Sequence, residues 1–103
     1  MKSIYSILSG NDSYIEKRFT RCTDTYLEKI ENLKLAKSLC DESSYCNAIA
    51  APHLYSTDNS YKLCKGKYEF SPSETIFAKG NQNIHSYSKR EVFNYISQIV
   101  EML

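Results

Sequence analysis

The sequence has little glycine and proline and no tryptophan, with three Gly and two Pro among its 103 residues. This composition excludes collagen-like and linker-rich chains, both of which depend on those residues. No run of apolar residues approaches the roughly 18 that a membrane-spanning helix needs, so we expect no transmembrane segment. The formal net charge is only +1. Because long nucleic acids are bound mainly through excess positive charge, we expect no nucleic-acid partner.

Length and composition predict one folded domain. Hydrophobic residues make up 42% of the chain and charged residues 24%, values typical of a globular protein rather than of a disordered one. A chain of this length also lies within the usual size of a single domain. We therefore expect a single domain over residues 1–103.

The sequence lacks the common catalytic and cofactor-binding motifs. It contains no P-loop, no G-x-G-x-x-G and no H-E-x-x-H. Its two histidines, His53 and His85, are not accompanied by a recognisable nucleophile motif. The adjacent carboxylates Asp41 and Glu42 are typical of a solvated helix face or cap. We therefore predict no enzyme and no bound cofactor.

Four cysteines are the most informative feature of the composition: Cys22, Cys40, Cys46 and Cys64. An even number in a chain of this length predicts two disulfides if the protein matures in an oxidising compartment, and three pairings are possible. The alternatives are buried free thiols, since Cys packs as a small hydrophobe, and a zinc site built from Cys40, Cys46, His53 and Cys64. The zinc site is disfavoured because the chain has no close C-x2–4-C pair.

The first ten residues do not resemble a secretory signal. Met1–Gly10 carries one early charge, but its apolar stretch is interrupted by Ser and Tyr and is shorter than the usual h-region of about 7–15 residues. An extracellular or particle-surface location therefore rests on the cysteines, with no recognisable signal peptide. Either a leader was replaced by Met1, or the protein reaches its destination by another route, or the thiols stay reduced.

Hydrophobic periodicity predicts helices in the first half of the chain, where neither Gly nor Pro occurs between Gly10 and Pro52. Apolar residues recur every three or four positions from Ile15 to Leu33, which predicts a helix over about 14–31. Asn32 is a suitable N-cap for a second helix over 33–41.

The second half predicts short strands and a final helix. Residues 46–50 are small and apolar, which suits a buried strand. Aromatic and β-branched residues are concentrated in 60–65, 67–70, 75–79 and 84–88, separated by turn-forming segments that include 71–73 and 80–83. A C-terminal amphipathic helix is predicted over about 89–102, and its apolar stripe consists of Val92, Phe93, Ile96, Ile99, Val100 and Leu103. The expected fold class is α+β: N-terminal helices, a short antiparallel β meander and a C-terminal helix, stapled by disulfides.

The middle of the chain resembles a known family. Residues Ala36–Cys40 are followed by Cys46–Ile49 after a C-x5-C step, then by Tyr61–Gly66, by Ser71-Pro72-Ser73 and by an aromatic strand ending at Lys79. This arrangement over about 33–80 resembles the PAN/apple family of extracellular modules. In that family a cysteine-bearing helix leads through such a step into a central strand, and a later strand presents another cysteine.

The resemblance implies a disulfide pairing. It implies a local Cys40–Cys46 bond, which leaves Cys22 and Cys64 as the second pair. The chain differs from the family at two places: Ala36 stands where the family usually has a further cysteine, and such modules begin with a strand where the periodicity of 14–31 predicts a helix.

A lysine- and tyrosine-rich segment is the candidate binding surface. Cations alternate with aromatic rings over 61–68, a pattern that suits acidic or sulfated partners and stacking on sugar rings. The alternative is an edge strand whose lysines prevent aggregation. The predicted ligand-binding residues are His53, Tyr55, Tyr61, Lys62, Lys65, Lys67 and Tyr68.

These observations favour a non-catalytic, disulfide-stabilised binding module that recognises a protein or a glycan. The alternative is a small accessory or structural subunit of a larger assembly, such as a virion component or an inhibitor-type partner protein. In that case the C-terminal helix would pack on an assembly partner through Phe93, Ile96, Val100 and Leu103.

Overall fold

The computed structural model describes residues 14–80 and 84–102, which form a five-stranded antiparallel sheet and two helices. The strand order is β1-β5-β3-β4-β2. The predicted α+β class, with an antiparallel sheet, a C-terminal helix and two disulfides, is confirmed. The elements are β1 (Tyr14–Cys22), β2 (Thr25–Ile30), α1 (Leu33–Glu42), β3 (Ala48–Ala50), β4 (Tyr61–Cys64), β5 (Tyr68–Lys79) and α2 (Lys89–Met102).

The helix predicted over 14–31 is wrong, because this segment forms β1 and β2. β1 pairs with β5 from Tyr14 opposite Lys79 to Cys22 opposite Tyr68, and β2 pairs with β4. Thr20, Thr23 and Thr25 are poor helix formers that suit strands. The spacing of the apolar residues matched a helix, but pairing with strands far along the chain overrode that local pattern.

A bulge interrupts the pairing of β1 with β5. Phe19 has φ 59°, and the register shifts between Arg18 and Thr20, so that residues 71–74 of β5 lie opposite Phe19 alone. The turn predicted at 71–73 therefore lies within one continuous strand. Pro72 has no N–H to donate and is tolerated there because a bulge leaves residues outside the hydrogen-bond ladder.

The helix predicted over 33–41 is confirmed as α1, and its start is set by Asn32, whose Oδ1 accepts a hydrogen bond from Leu35 N at 2.8 Å. The C-terminal helix is confirmed over 89–102. Ser88 and Glu91 form a capping box at its start: Ser88 Oγ accepts from Glu91 N at 3.2 Å, and Glu91 Oε1 accepts from Ser88 N at 3.4 Å. Both helices follow from local sequence signals.

Two further expectations differ from the structure. The strand predicted over 84–88 is wrong, because these residues form no regular secondary structure. The sheet is also not a simple up-and-down meander: among the described elements, only β3 and β4 are neighbours both in sequence and in the sheet. Non-local pairing decides both features.

The sheet has a buried cluster on each face. Along β3, Ala48 and Ile49 point to opposite faces because strand side chains alternate, and both are fully buried. The cluster on the α1 side consists of Ile30, Ala36, Cys40, Cys46, Ile49 and Leu63. The cluster on the opposite side consists of Cys22, Ala48, Cys64, Ile76 and Ala78.

Each cluster contains one disulfide. Cys40 bonds to Cys46 with a Cα–Cα distance of 5.1 Å, and Cys22 bonds to Cys64 with a Cα–Cα distance of 6.1 Å. These are the two pairs that the resemblance implied. The zinc and free-thiol alternatives do not hold, because all four sulfurs are used in disulfides.

Gly66, in the turn between β4 and β5, needs the conformational freedom of glycine. Its φ is +130°, and a Cβ added there would lie 2.6 Å from Asn47 Nδ2, which donates to Lys65 O. We expect Gly66→Ala to lower the free energy of unfolding by about 1–3 kcal/mol, since a side chain in this backbone region is strained. Chemical denaturation would measure it. Lys67→Ala in the same turn is the control, and equal stability of Gly66→Ala and the wild type would contradict the expectation.

Candidate functional site

The structure divides the predicted binding residues between the two faces of the sheet. Tyr61 packs against the α1-side cluster and Tyr68 packs against the opposite one. The hydroxyl of Tyr68 has no hydrogen-bond partner within residues 14–80 and 84–102, and burial raises the pKa of Tyr68 to about 12. Both tyrosines are partly buried, and because they lie on opposite faces they do not form one surface with each other.

The backbone groups of Lys65 and Lys67, in the β4–β5 turn, are hydrogen-bonded to the β1–β2 turn. Lys65 N donates to Asp24 O, and Thr23 N donates to Lys67 O, both at 2.9 Å. Lys65 Nζ lies 5.7 Å from the centre of the Tyr26 ring, a cation–π contact. These bonds join the β1–β2 turn to the β4–β5 turn, at a place where the Cys22–Cys64 bond also links them.

A polar cleft of about 230 Å³ lies beside the loop 51–60 and the end of β1; we call it the loop cleft. Of the predicted binding residues, His53 and Lys62 line it. The other polar side chains of its lining are four hydroxyls and three charged groups that sequence analysis did not assign to a site: Thr23, Thr25, Ser56, Ser60, Arg21, Asp58 and Glu74.

The cations of the loop cleft are each paired with a carboxylate. Arg21 forms an ion pair with Glu69, and its Nε lies 3.8 Å from Glu74 Oε2. Lys62 Nζ lies 3.9 Å from Glu28 Oε1. All these groups are partly exposed, so the pairs add little stability. Within the lining itself, the two cations Arg21 and Lys62 offset the two carboxylates Asp58 and Glu74, and a lining balanced in this way suits a neutral polar ligand better than a polyanion.

Side-chain hydrogen bonds order the loop that forms one wall of the cleft. Asp58 Oδ1 accepts from Ser60 N at 3.0 Å, and Ser56 Oγ accepts from Asp58 N at 3.0 Å. Hydrogen bonding from Ser60 lowers the pKa of Asp58. Asp58 therefore supplies a carboxylate that accepts hydrogen bonds at neutral pH.

His53 fastens the loop to β5. Its Nε2 lies 2.6 Å from Ser73 Oγ, while its Nδ1 accepts a hydrogen bond from Tyr55 N at 3.1 Å. In a neutral imidazole that bond leaves the proton on Nε2, which then donates to Ser73. This arrangement cannot take a proton from the Ser73 hydroxyl, so the pair anchors the loop and does not activate a nucleophile.

Tyr55 presents an exposed aromatic ring on the loop that forms one wall of the cleft, between the lining residues His53 and Ser56 in sequence, but it is not itself part of the lining. Its side chain is among the most exposed large ones of the described residues, at 84%, and its ring centre lies 5.7 Å from that of His53. A rigid ring with a polar tip suits recognition, because it offers contact area with little loss of side-chain freedom. Tyr55 is therefore an exposed aromatic ring beside His53, which lines the loop cleft.

Arg21, Asp58 and Glu74 could not be assigned to a site from the sequence, because they come from three separate segments. Arg21 and Glu74 meet only through the pairing of β1 with β5, at the bulge that contains Glu74. The helix predicted over 14–31 placed Arg21 in a helix rather than beside a sheet edge. The spacing of residue types along the sequence does not indicate a site that is assembled from such distant segments.

Comparison with known proteins does not identify a family for this chain. No protein-family model, curated protein or solved structure matches the chain. Within residues 14–80 and 84–102, no cluster of three or more His, Cys, Asp or Glu side chains is arranged to hold a metal ion. In the same part of the chain, no helix combines the length and hydrophobicity needed to cross a membrane. The function of this protein is therefore inferred from the geometry of the site.

Proposed function

We propose that this protein is a non-catalytic, disulfide-stapled binding module of the PAN/apple kind that recognises a glycan at the loop cleft. The observation that carries the proposal is a charge-balanced cleft lined by hydroxyls, with an exposed tyrosine on the same loop, next to the lining residue His53. Sugar hydroxyls both donate and accept hydrogen bonds, so paired carboxylates and cations together with Ser and Thr hydroxyls satisfy them. The C–H face of a sugar ring would pack on Tyr55.

The size of the cleft limits what it would hold. At about 230 Å³ it is smaller than the roughly 300–1,000 Å³ of pockets that enclose drug-sized ligands. It therefore suits one sugar ring at the end of a glycan rather than a whole oligosaccharide. Because its charges are balanced, its affinity for neutral glycans is expected to depend little on salt.

The PAN/apple assignment and the extracellular location are supported by the disulfides. Cys40–Cys46 links the end of α1 to the chain entering β3, as the family resemblance implied. β1 and β2 occupy 14–30, the region in which such modules have their first strand. Disulfides persist mainly in oxidising compartments, so the two bonds favour a location outside the cytoplasm or on a particle surface.

Two exposed tyrosines allow a matched test of the loop cleft. We expect Tyr55→Ala to weaken glycan binding about five- to tenfold, since loss of ring stacking costs about 1 kcal/mol. Tyr45→Ala should leave binding unchanged, because Tyr45 is also exposed, at 71%, but lies between α1 and β3 rather than on the loop that forms the cleft wall. Binding is measured on an immobilised panel of neutral and sulfated oligosaccharides, at low and high salt.

Three outcomes would count against this function. Binding restricted to sulfated glycans and lost at high salt would contradict a charge-balanced site. Equal losses in both tyrosine variants would remove the loop cleft as the binding site. Absence of binding to every glycan on the panel would favour a protein ligand.

A specific observation favours the second candidate, a small accessory subunit of a larger assembly. The apolar stripe of α2 is exposed: Phe93 is 70% exposed and Val100 62%. Such a face is typical of a helix that packs on another chain. Under this function, substitutions in α2 would abolish assembly while Tyr55→Ala would have no effect.

A further inference from the structure

The α2 helix lacks the packing that normally stabilises a helix of its length. It has 14 residues, and none of Lys89–Met102 is buried. Its best-defined contact with the sheet is the Tyr95 ring, whose centre lies 4.4 Å from that of Phe70. Isolated helices of about 12–15 residues are marginal in water, and most helical stability in proteins comes from packing of the apolar face. The apolar side chains of α2 therefore need a partner surface.

The apolar residues that face away from Tyr95 form a narrow line, which we call the α2 seam: Phe93, Ile96 and Val100. Their spacing of three and four residues places them on one side of the helix, since each residue advances by about 100°. Phe93 lies about one turn before Ile96, and Val100 lies about one turn after it. A large side chain at one end and a smaller one at the other make the seam complementary to itself when reversed.

The charges beside the seam are also complementary to a reversed copy. Arg90 and Glu101 lie on the same flank of the seam, at opposite ends of the helix. A cation in the first turn and an anion in the last turn are both unfavourable to the helix's own dipole. In an antiparallel pair, residues on the same flank meet, so each Arg90 would face Glu101 of the other copy.

We propose that α2 is a self-association surface on which two copies of this chain pair antiparallel about a two-fold axis. Ile96 of each copy lies at the axis, Phe93 of one copy packs against Val100 of the other, and Arg90 of one copy approaches Glu101 of the other. A two-fold interface requires one patch to complement itself, and the seam meets this requirement in size and in charge. The inference is independent of the ligand proposed for the loop cleft, and it names a different occupant from the accessory-subunit candidate.

Sedimentation equilibrium of the whole chain over a wide concentration range tests the proposal. The wild type is expected to show a reversible monomer–dimer equilibrium. Ile96→Lys is expected to weaken dimerisation by at least about tenfold, because it places an ammonium group at the centre of an apolar interface. Met102→Lys is the matched control: Met102 is 84% exposed but lies on the side of α2 away from the seam, so its dimerisation should be unchanged.

Charge exchange tests the antiparallel orientation and does not depend on the apolar variants folding normally. Arg90→Glu alone is expected to weaken the dimer, because it places two carboxylates opposite each other. Adding Glu101→Arg is expected to restore the dimer, since position 90 of one copy then carries a carboxylate that faces an arginine at position 101 of the other. Failure of the double variant to restore the dimer would overturn the antiparallel pairing. A wild-type chain that stays monomeric at every concentration, or equal effects of Ile96→Lys and Met102→Lys, would overturn self-association through the seam.

Discussion

Replacing Cys22 and Cys64 together by alanine is expected to lower the free energy of unfolding by about 4 kcal/mol. The two residues are 42 positions apart in sequence, and closing so long a loop restricts the unfolded chain strongly. In the folded state the bond joins the end of β1 to the end of β4, which are not neighbours in the sheet. Equilibrium denaturation in urea measures the loss.

The second disulfide provides the matched comparison. Cys40 and Cys46 are 6 positions apart, so removing both thiols is expected to cost only about 2 kcal/mol. All four cysteines are at least nine-tenths buried, so both double variants remove similar side-chain packing. If the Cys40/Cys46 variant loses as much stability as the Cys22/Cys64 variant, loop length is not what separates the two bonds.

The long-range disulfide also connects stability to the candidate site. Cys22 lines the loop cleft directly after Arg21, and Cys64 lies in the same strand as Lys62. Two backbone hydrogen bonds between the adjoining turns act at the same place. Loss of this bond would therefore loosen the wall of the cleft, whereas loss of Cys40–Cys46, in the cluster on the α1 side, would leave the cleft intact.

Ile49→Ala is expected to lower the free energy of unfolding by about 3 kcal/mol, within the roughly 2–5 kcal/mol that such truncations cost in a core. Ile49 is fully buried in β3, the middle strand of the sheet, and lies opposite Leu63 on β4 and Phe77 on β5. The cost includes both lost transfer free energy and the cavity that the surrounding sheet cannot fill. The loss is measured by chemical denaturation, in which the dependence of the free energy of unfolding on denaturant concentration is compared between the variant and the wild type.

Leu27→Ala is the control for this expectation. Leu27 is also an apolar strand residue, but it lies in the edge strand β2 and is 41% exposed. Its truncation is expected to cost less than about 1 kcal/mol, because it removes less buried area. Similar losses for the two variants would show that β3 is not the centre of the core.

The helices illustrate what local sequence specifies. α1 begins at the Asn32 cap and α2 at the Ser88–Glu91 capping box, and both were predicted within a residue or two. Each signal acts over one turn, so it is present in the sequence whatever the rest of the chain does. Because these signals are local, they locate α2 in the sequence but do not indicate which surface packs against it.

The segment 14–31 shows where local sequence is insufficient. Its apolar residues have helical spacing, yet it forms two strands because β5 and β4 supply the hydrogen-bond partners. The bulge at Phe19 changes which positions face inward partway along β1, and this removes the simple alternation by which a strand is recognised. The helical spacing of these residues was outweighed by pairing with residues more than 30 positions away.

The sequence by itself determined the α+β class, the positions of both helices and, through the family resemblance, which cysteines bond. Only the tertiary structure decided that β1 and β2 are strands, that Tyr61 and Tyr68 lie on opposite faces, and that Arg21, Asp58, Lys62 and Glu74 share one cleft. The physical reason is range. Caps and periodicity act between residues within a turn or two of each other, whereas the faces of a sheet and the walls of a cleft depend on which distant strands pair and in which register.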